Sequence, residues 1–279
     1  MTATTATPTS VPERALAASR RALVRRSRLR IGLEIVTPIV VIVAIWIWSS
    51  NSGIYFFPPL GDVLTTFANT WFSERLFTDV LPSLRRMTIG YLAAAAIGLL
   101  FGIWLGQSPR LSAALAPVLE FIRAIPAVAV IPLAIFLLGV DDTAKVILIA
   151  FICVWPVLLN TIDGVRGMDA NLLETARVYG ISWWRRQTQV ILPATLPQVF
   201  AGLRTSLAFA LIMLVTSEML ASSNGIGFFV LQAQRTFAMR EMWAGILLIG
   251  LFGYVLNLLF VLVERHAIDW HRGANEAAE

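Results

Sequence analysis

Three ionisable side chains sit where the sequence is otherwise apolar: Glu120, Arg123 and Glu218. In a membrane helix such groups are costly and mark functional positions by default. Glu120 and Arg123 are three residues apart, which puts both on one helix face, where they can pair. Arg123 therefore has two readings: a structural ion pair between helices, or an electropositive group that guides an anion. Glu218 also has two. It either lines a polar path, or it sits at an interface and hydrogen-bonds the Gly225–Gly227 loop. Asn160 is a further polar group late in an apolar run. Arg204 is placed to snorkel to a membrane interface.

Other chemistries lack their residues. Cys153 is the only cysteine, so no intramolecular disulfide or cysteine metal cluster can form. The only histidines, His266 and His271, lie near the C-terminus, outside every apolar run. No metal site is expected. No G-x-S-x-G occurs, and no nucleophile has a histidine base within an apolar run, so no catalytic residue is assigned. Lys145 is the only lysine beside 21 arginines. It follows Asp141-Asp142-Thr143-Ala144, so no G-x-x-x-x-G-K-[ST] phosphate loop exists.

These side chains must be positioned by helices that cross a bilayer. Of 279 residues, 57% are hydrophobic and 14% charged, against roughly 25% charged in soluble domains. Apolar runs long enough for a ~30 Å hydrocarbon core predict six spans, at 31–49, 83–106, 113–138, 144–163, 197–220 and 243–263. The fold class is all-α and polytopic. Residues 1–30 carry seven arginines and one acid, Glu13, and read as a flexible basic tail rather than a transit peptide. Residues 266–279 form a second tail. With both termini in the cytoplasm, the inner segments hold 14 basic residues and the outer segments three, Arg75, Arg235 and Arg240. That is the positive-inside arrangement. Gly90, Gly98, Gly102 and Gly106 fall on one stripe of the second span, a small-residue pattern for close helix packing. Pro126, Pro132 and Pro156 interrupt spans three and four, where freed carbonyls must be satisfied by neighbours or line a cavity.

The inner segment 164–196 is a polar island. Asn171 is expected to cap a helix, with Glu174 at the capping-box position. Leu172, Leu173, Ala176 and Tyr179 recur at helical spacing as a prospective apolar face. Gly180 suits the left-handed position past a helix end. Ser182 is expected to cap a second helix from Trp183, and Pro193 and Pro197 to break the chain before the fifth span. Two helices around a glycine turn on one membrane face suit a docking element, or a hairpin that covers lipid headgroups.

Glu174-x-Ala176-x-x-x-Gly180, then ten residues, then Ile191-Leu192-Pro193, resembles the EAA loop of ABC-importer permeases, with Thr175 in place of the usual alanine. The resemblance extends over about 80–265. It includes Ser83-Leu84-Arg85-Arg86, Arg123-Ala124-Ile125-Pro126, Ile131-Pro132-Leu133, Glu218-Met219-Leu220 and Ser223-Asn224-Gly225-Ile226-Gly227. It is similar to the sulfonate, nitrate and taurine branch. The resemblance implies a permease domain at 80–265 in a prokaryotic cell membrane, with a cytoplasmic coupling helix. It implies a dimer of ATPase subunits holding ATP and Mg, a second permease chain (a homodimer), and an extracytoplasmic binding protein. No cofactor in this chain and no nucleic acid are expected. Glu174, Ala176, Gly180, Ile191, Leu192 and Pro193 would couple to the ATPase. Arg123, Asn160 and Glu218 are the pathway candidates for a small anionic nutrient. The rival reading is an ion-coupled secondary transporter using Glu120, Arg123 and Glu218.

Overall fold

Long apolar runs become helices because lipid offers backbone groups no hydrogen-bond partner, so each run must satisfy its own. The computed structural model describes residues 36–51 and 53–276, with side chains through 268, and the described residues form helices and turns without a strand. The basic tail at 1–30 and the start of the first expected span, 31–35, lie outside the described residues.

The chain divides into two units, Met1–Asp62 and Val63–Glu279. In the first, α1 (Val36–Asn51) is a short apolar helix. Its C-terminal end is tied locally. Ser49 Oγ accepts from Leu60 N at 3.3 Å, and the Trp48 and Phe57 rings meet edge to face at 5.2 Å.

Further along the chain are α2 (Leu60–Trp71), α3 (Leu81–Gly106), α4 (Pro109–Ala124), α5 (Ala127–Leu138) and α6 (Asp142–Arg166). They are followed by α7 (Ala170–Val178), α8 (Trp183–Arg186), α9 (Leu192–Ala221), α10 (Ile226–Arg235) and α11 (Met239–Glu276). Four continuous helical stretches are long and apolar enough to cross a membrane: Leu76–Gly106, Asp142–Arg166, Trp183–Ala221 and Met239–Ile268. The fourfold set becomes five if α4 and α5 count as one span. The described residues thus hold four or five of the six expected spans, and the remaining one corresponds to α1, whose expected start at 31–35 lies outside them. The third span, expected at 113–138 with prolines interrupting it, is two helices bent by 85°. The cause is Pro126, which disfavours helical geometry at Ile125 before it; Ile125 and Pro126 are both extended (ψ 121° and 117°).

The core is built by α3, α6 and α9. A Cβ on Gly90 would lie 2.8 Å from Ile149, on Gly98 2.8 Å from Val157, on Gly102 2.5 Å from Thr161 and on Gly106 2.6 Å from Val165. Each glycine meets a partner that advances in step with it, so α3 and α6 run parallel. The stripe is where their backbones close together, as its spacing predicts. The contacts of α6 with α9 run the opposite way: Gly164 meets Thr195 and Gln198, Gly202 meets Pro156 and Asn160, and Cys153 and Ser206 exchange hydrogen bonds at 2.8 and 3.4 Å. Met87, Ala94, Ile131, Ile149, Cys153, Met213 and Leu214 fill the space between.

Pro193 and Pro197 do not break the chain before the fifth span. The helix runs unbroken from Trp183 to Ala221. A π turn at Gln187–Ile191 precedes Pro193, and the same device at Leu76–Val80 precedes Pro82. In each, the residue before the proline donates across a wide turn, Leu81 to Leu76 O and Leu192 to Gln187 O. The wide turn shifts the acceptors, so the missing proline N–H and the ring are accommodated without a kink.

Candidate functional site

At one end of the bundle a cluster of charges is buried. Glu218, near the end of α9, has no exposed surface, and Arg86, in the second turn of α3, is 3% exposed. Arg86 Nη1 donates to Glu218 Oε1 at 2.8 Å, and Arg86 Nε to Asp142 Oδ1 at 2.7 Å. Arg86 Nη2 also donates to Asn224 Oδ1 at 2.6 Å. One guanidinium thus joins α3, α6, α9 and the loop before α10. Ser83 Oγ donates to Glu218 Oε1 at 2.7 Å and accepts from Ile226 N at 3.1 Å. Gly227 N donates to Glu218 Oε2 at 3.0 Å, and Gly225 N to the buried Asp79 Oδ1 at 2.9 Å. Lys145 Nζ donates to Val140 O at 2.9 Å and stands 3.9 Å from Asp142. Among the described residues no buried side-chain nitrogen or oxygen lacks a partner.

Gly225 is required here twice. Its φ is +115°, and a Cβ would fall 2.5 Å from the Glu218 carboxylate. Glu218 therefore fixes the Gly225–Gly227 loop and is enclosed by it. Ser83, Arg86, Asp142 and Asn224 are the partners that sequence reasoning missed. The available signal was that a carboxylate in an apolar span demands a cation.

At the opposite end stands the island. Helix α7 is capped by Asp169, whose side chain accepts from Asn171 N at 2.9 Å. Asn171 is therefore inside the helix, not its cap, and Glu174 stands exposed rather than in a capping box. The C-terminus follows the expectation. Ile181 N donates to Ala176 O and Gly180 N to Arg177 O, both at 3.0 Å, and Gly180 has φ +64°. That pair of bonds around a left-handed residue is the Schellman turn. Ser182 occupies the cap position of α8 without a side-chain hydrogen bond.

The expected apolar face divides. Ala176 is 3% exposed, whereas Tyr179 is 80% exposed and Leu172 is also outward. Around Gly180 the exposed set is Val178, Tyr179, Ile181, Trp183 and Trp184. Ile191 is buried, and Leu192 and Pro193 begin α9 in half-buried positions. A cavity of about 570 Å³ lies beneath α7, bordered by Asp169, Leu172, Gln189, Pro193 and Pro197.

The third feature is at mid-length of the spans. Arg123, in the last turn of α4, is exposed beside a cavity of about 440 Å³ at the α4–α5 bend. Phe151, Trp155 and Pro156 of α6 and Phe209 of α9 line it. Among the described residues Arg123 makes no ion pair or side-chain hydrogen bond, so the expected Glu120–Arg123 pair is absent. A cation at the centre of a membrane helix costs about 2.5–3.5 kcal/mol on insertion scales. Asn160 does not line this cavity. Its Nδ2 donates to Pro156 O at 2.8 Å, and its Cβ lies 2.9 Å from where a Cβ on Gly202 would be. Arg204 is ion-paired with Glu264 and lies over the Phe260 ring at 5.9 Å.

Apolar spans, close glycine packing and a polar island at one end define a polytopic helical membrane protein. Within that class, residues 97–268 match the family described as binding-protein-dependent transport system inner membrane component, and the chain belongs to that family, the permease subunits of ABC importers. It is 36% identical over 233 residues to the aliphatic sulfonates transport permease protein SsuC of Bacillus subtilis, covering 82% of this chain and 84% of that one. The nitrate import permease NrtB of Synechococcus elongatus is 31% identical, over 95% of this chain and 98% of its own. The taurine transport permease TauC of Escherichia coli is 31% identical, over 70% of this chain and 71% of its own. In fold, the chain is similar to inward-facing structures of the MetNI methionine ABC transporter. The TM-score is 0.58 at 16% identity, covering 68% of this chain and 94% of that one.

Proposed function

We propose that this chain forms half of a translocation pathway for a small anion of the sulfonate, taurine or nitrate type, driven by a separate ATPase. The reading takes both termini and the island at 164–196 as cytoplasmic, and the Arg86–Glu218 end as outward. It pairs the chain with a second copy, two ATPase subunits and an extracytoplasmic binding protein. Glu174, Ala176, Gly180, Ile191, Leu192 and Pro193 form the docking element, and Arg123 borders the path. Asn160 and Glu218 act from the helix interfaces as positioning residues.

The observation that carries this is continuity. The exposed tryptophans of α8 begin the same unbroken helix that ends at Ala221, beside Glu218. A push at Trp183–Trp184 is therefore delivered along α9 to the buried charge cluster. Hydrolysis of ATP on the partner would supply the push, and the chain itself makes and breaks no covalent bond.

The test is uptake in proteoliposomes. With its ATPase and binding protein, the chain is expected to import substrate only when ATP is hydrolysed. Gradient-driven uptake by the chain alone would contradict the reading and favour a secondary transporter.

A further inference from the structure

The cavity at Arg123 has a composition that selects among the anions its relatives carry. It lies where the α4–α5 bend meets the middle of α6 and the middle of α9, at Phe151, Trp155 and Phe209. Its volume, about 440 Å³, falls in the range of small-molecule sites, roughly 300–1,000 Å³. The walls are rings and aliphatic groups, and the Phe151 and Trp155 rings stand edge to face at 6.1 Å. Arg123 is the one ionisable residue among those that line it. Its guanidinium has no partner among the described residues.

Arg123 stands exposed at the edge of the cavity, and a charged group that leaves water for the apolar walls must be compensated by a hydrogen bond or a counter-charge. A compact inorganic anion here would gain one guanidinium and lose its hydration to hydrocarbon walls. A zwitterion would bring an ammonium group with no acid on the cavity wall to meet it. An anion with an apolar body satisfies both parts of the site. Its charged head takes a paired, charge-assisted contact with Arg123, and its body replaces water on the aromatic faces.

We infer that this cavity is a mid-span substrate subsite that takes a monoanion with an apolar or aromatic body, its head on Arg123 and its body on Phe151, Trp155 and Phe209. The inference rests on the importer reading and narrows its substrate class. Nitrate-like, bicarbonate-like and zwitterionic solutes are the disfavoured classes.

The test is photolabelling of the full chain, assembled with its ATPase in membranes, with 4-azidobenzenesulfonate. Label is expected on the peptides containing Arg123–Ala127 and Phe151–Leu159. Excess benzenesulfonate should protect, and equal nitrate, bicarbonate or taurine should not. Loss of a charged hydrogen bond typically costs tenfold or more in affinity. Arg123→Gln is therefore expected to cut labelling by roughly tenfold or more, and Arg123→Lys by less. Leu159→Trp, which fills the cavity and leaves Arg123 in place, should also abolish label while the assembled complex persists. Labelling that ignores Arg123→Gln and Leu159→Trp, or equal protection by nitrate, would overturn the subsite. A separate arm measures ATP-dependent uptake. If uptake follows ATP while the label ignores the cavity, the subsite fails and the importer reading stands. If the label behaves as described but uptake needs no ATP, the importer reading fails and the site stands.

Discussion

The two ends of this bundle differ in what they do with their polar groups. At the Arg86–Glu218 end, charges are buried and, among the described residues, every buried side-chain nitrogen and oxygen has a partner. At the Gly180 end, large apolar side chains are exposed, with Tyr179 and Trp184 at 80% and 69%. The charge cluster at the first end is satisfied within one chain and fixes four elements to one guanidinium. The second is incomplete within one chain, which suits a surface that another subunit covers. A transporter needs both kinds of end: a fixed point on one side of α9 and a contact that can be pushed on the other.

The comparison can be broken first at its rigid end. Arg86→Met leaves Glu218 buried beside Ser83 without its cation. Breaking a buried pair from one side costs about 3–5 kcal/mol. The expected outcome is a large drop in thermal unfolding temperature of the detergent-solubilised chain, with loss of transport. A near-native midpoint would mean that the cluster is dispensable.

Next in size is Gly102→Val. A Cβ there would sit 2.5 Å from Thr161, and overpacking of a closed interface costs about 1–3 kcal/mol. The same thermal assay should register it, and Gly250→Val, with open space around its Cβ, should be near neutral. Smaller effects belong to the Gly180 end. Asp169→Ala removes the α7 cap, worth about 1 kcal/mol. Faster hydrogen exchange confined to 170–178 is expected, with the global midpoint unchanged. If exchange quickened equally in α3, α6 and α9, the Asp169 cap would not be a local support of the Gly180 end.

Local grammar was legible in the sequence where one helix or one turn decides the outcome. The glycine stripe and the Gly180 turn both depend on residues close in the chain. Glu218 stood out, but its partners on α3 and α6 required the three-helix register, which no single window carries. Pro126 marks the interruption of the third span from sequence, but the 85° angle between its two halves depends on how α4 and α5 pack against the bundle. Pro193 and Pro197, by contrast, misled. A proline just after a helix start loses little, and the π turn at Gln187–Ile191 prepares the backbone for it. Asn171 and Asp169 are both residue types that suit a cap, and only the backbone geometry places Asp169 there. The aromatic residues around Arg123 come from α6 and α9, so their convergence is a property of the tertiary fold.

The central claim is that the exposed Gly180 end is where a separate ATPase grips the chain. The most direct measurement is co-purification of the ATPase subunits with tagged wild-type, Glu174→Arg and Gly180→Trp chains from membranes. Both positions are exposed, and a side chain at Gly180 meets no neighbouring atom within 4 Å, although its φ of +64° strains the turn. The account predicts that both variants insert in the membrane at wild-type levels but lose the ATPase. Wild-type recovery of the ATPase with both variants would contradict it.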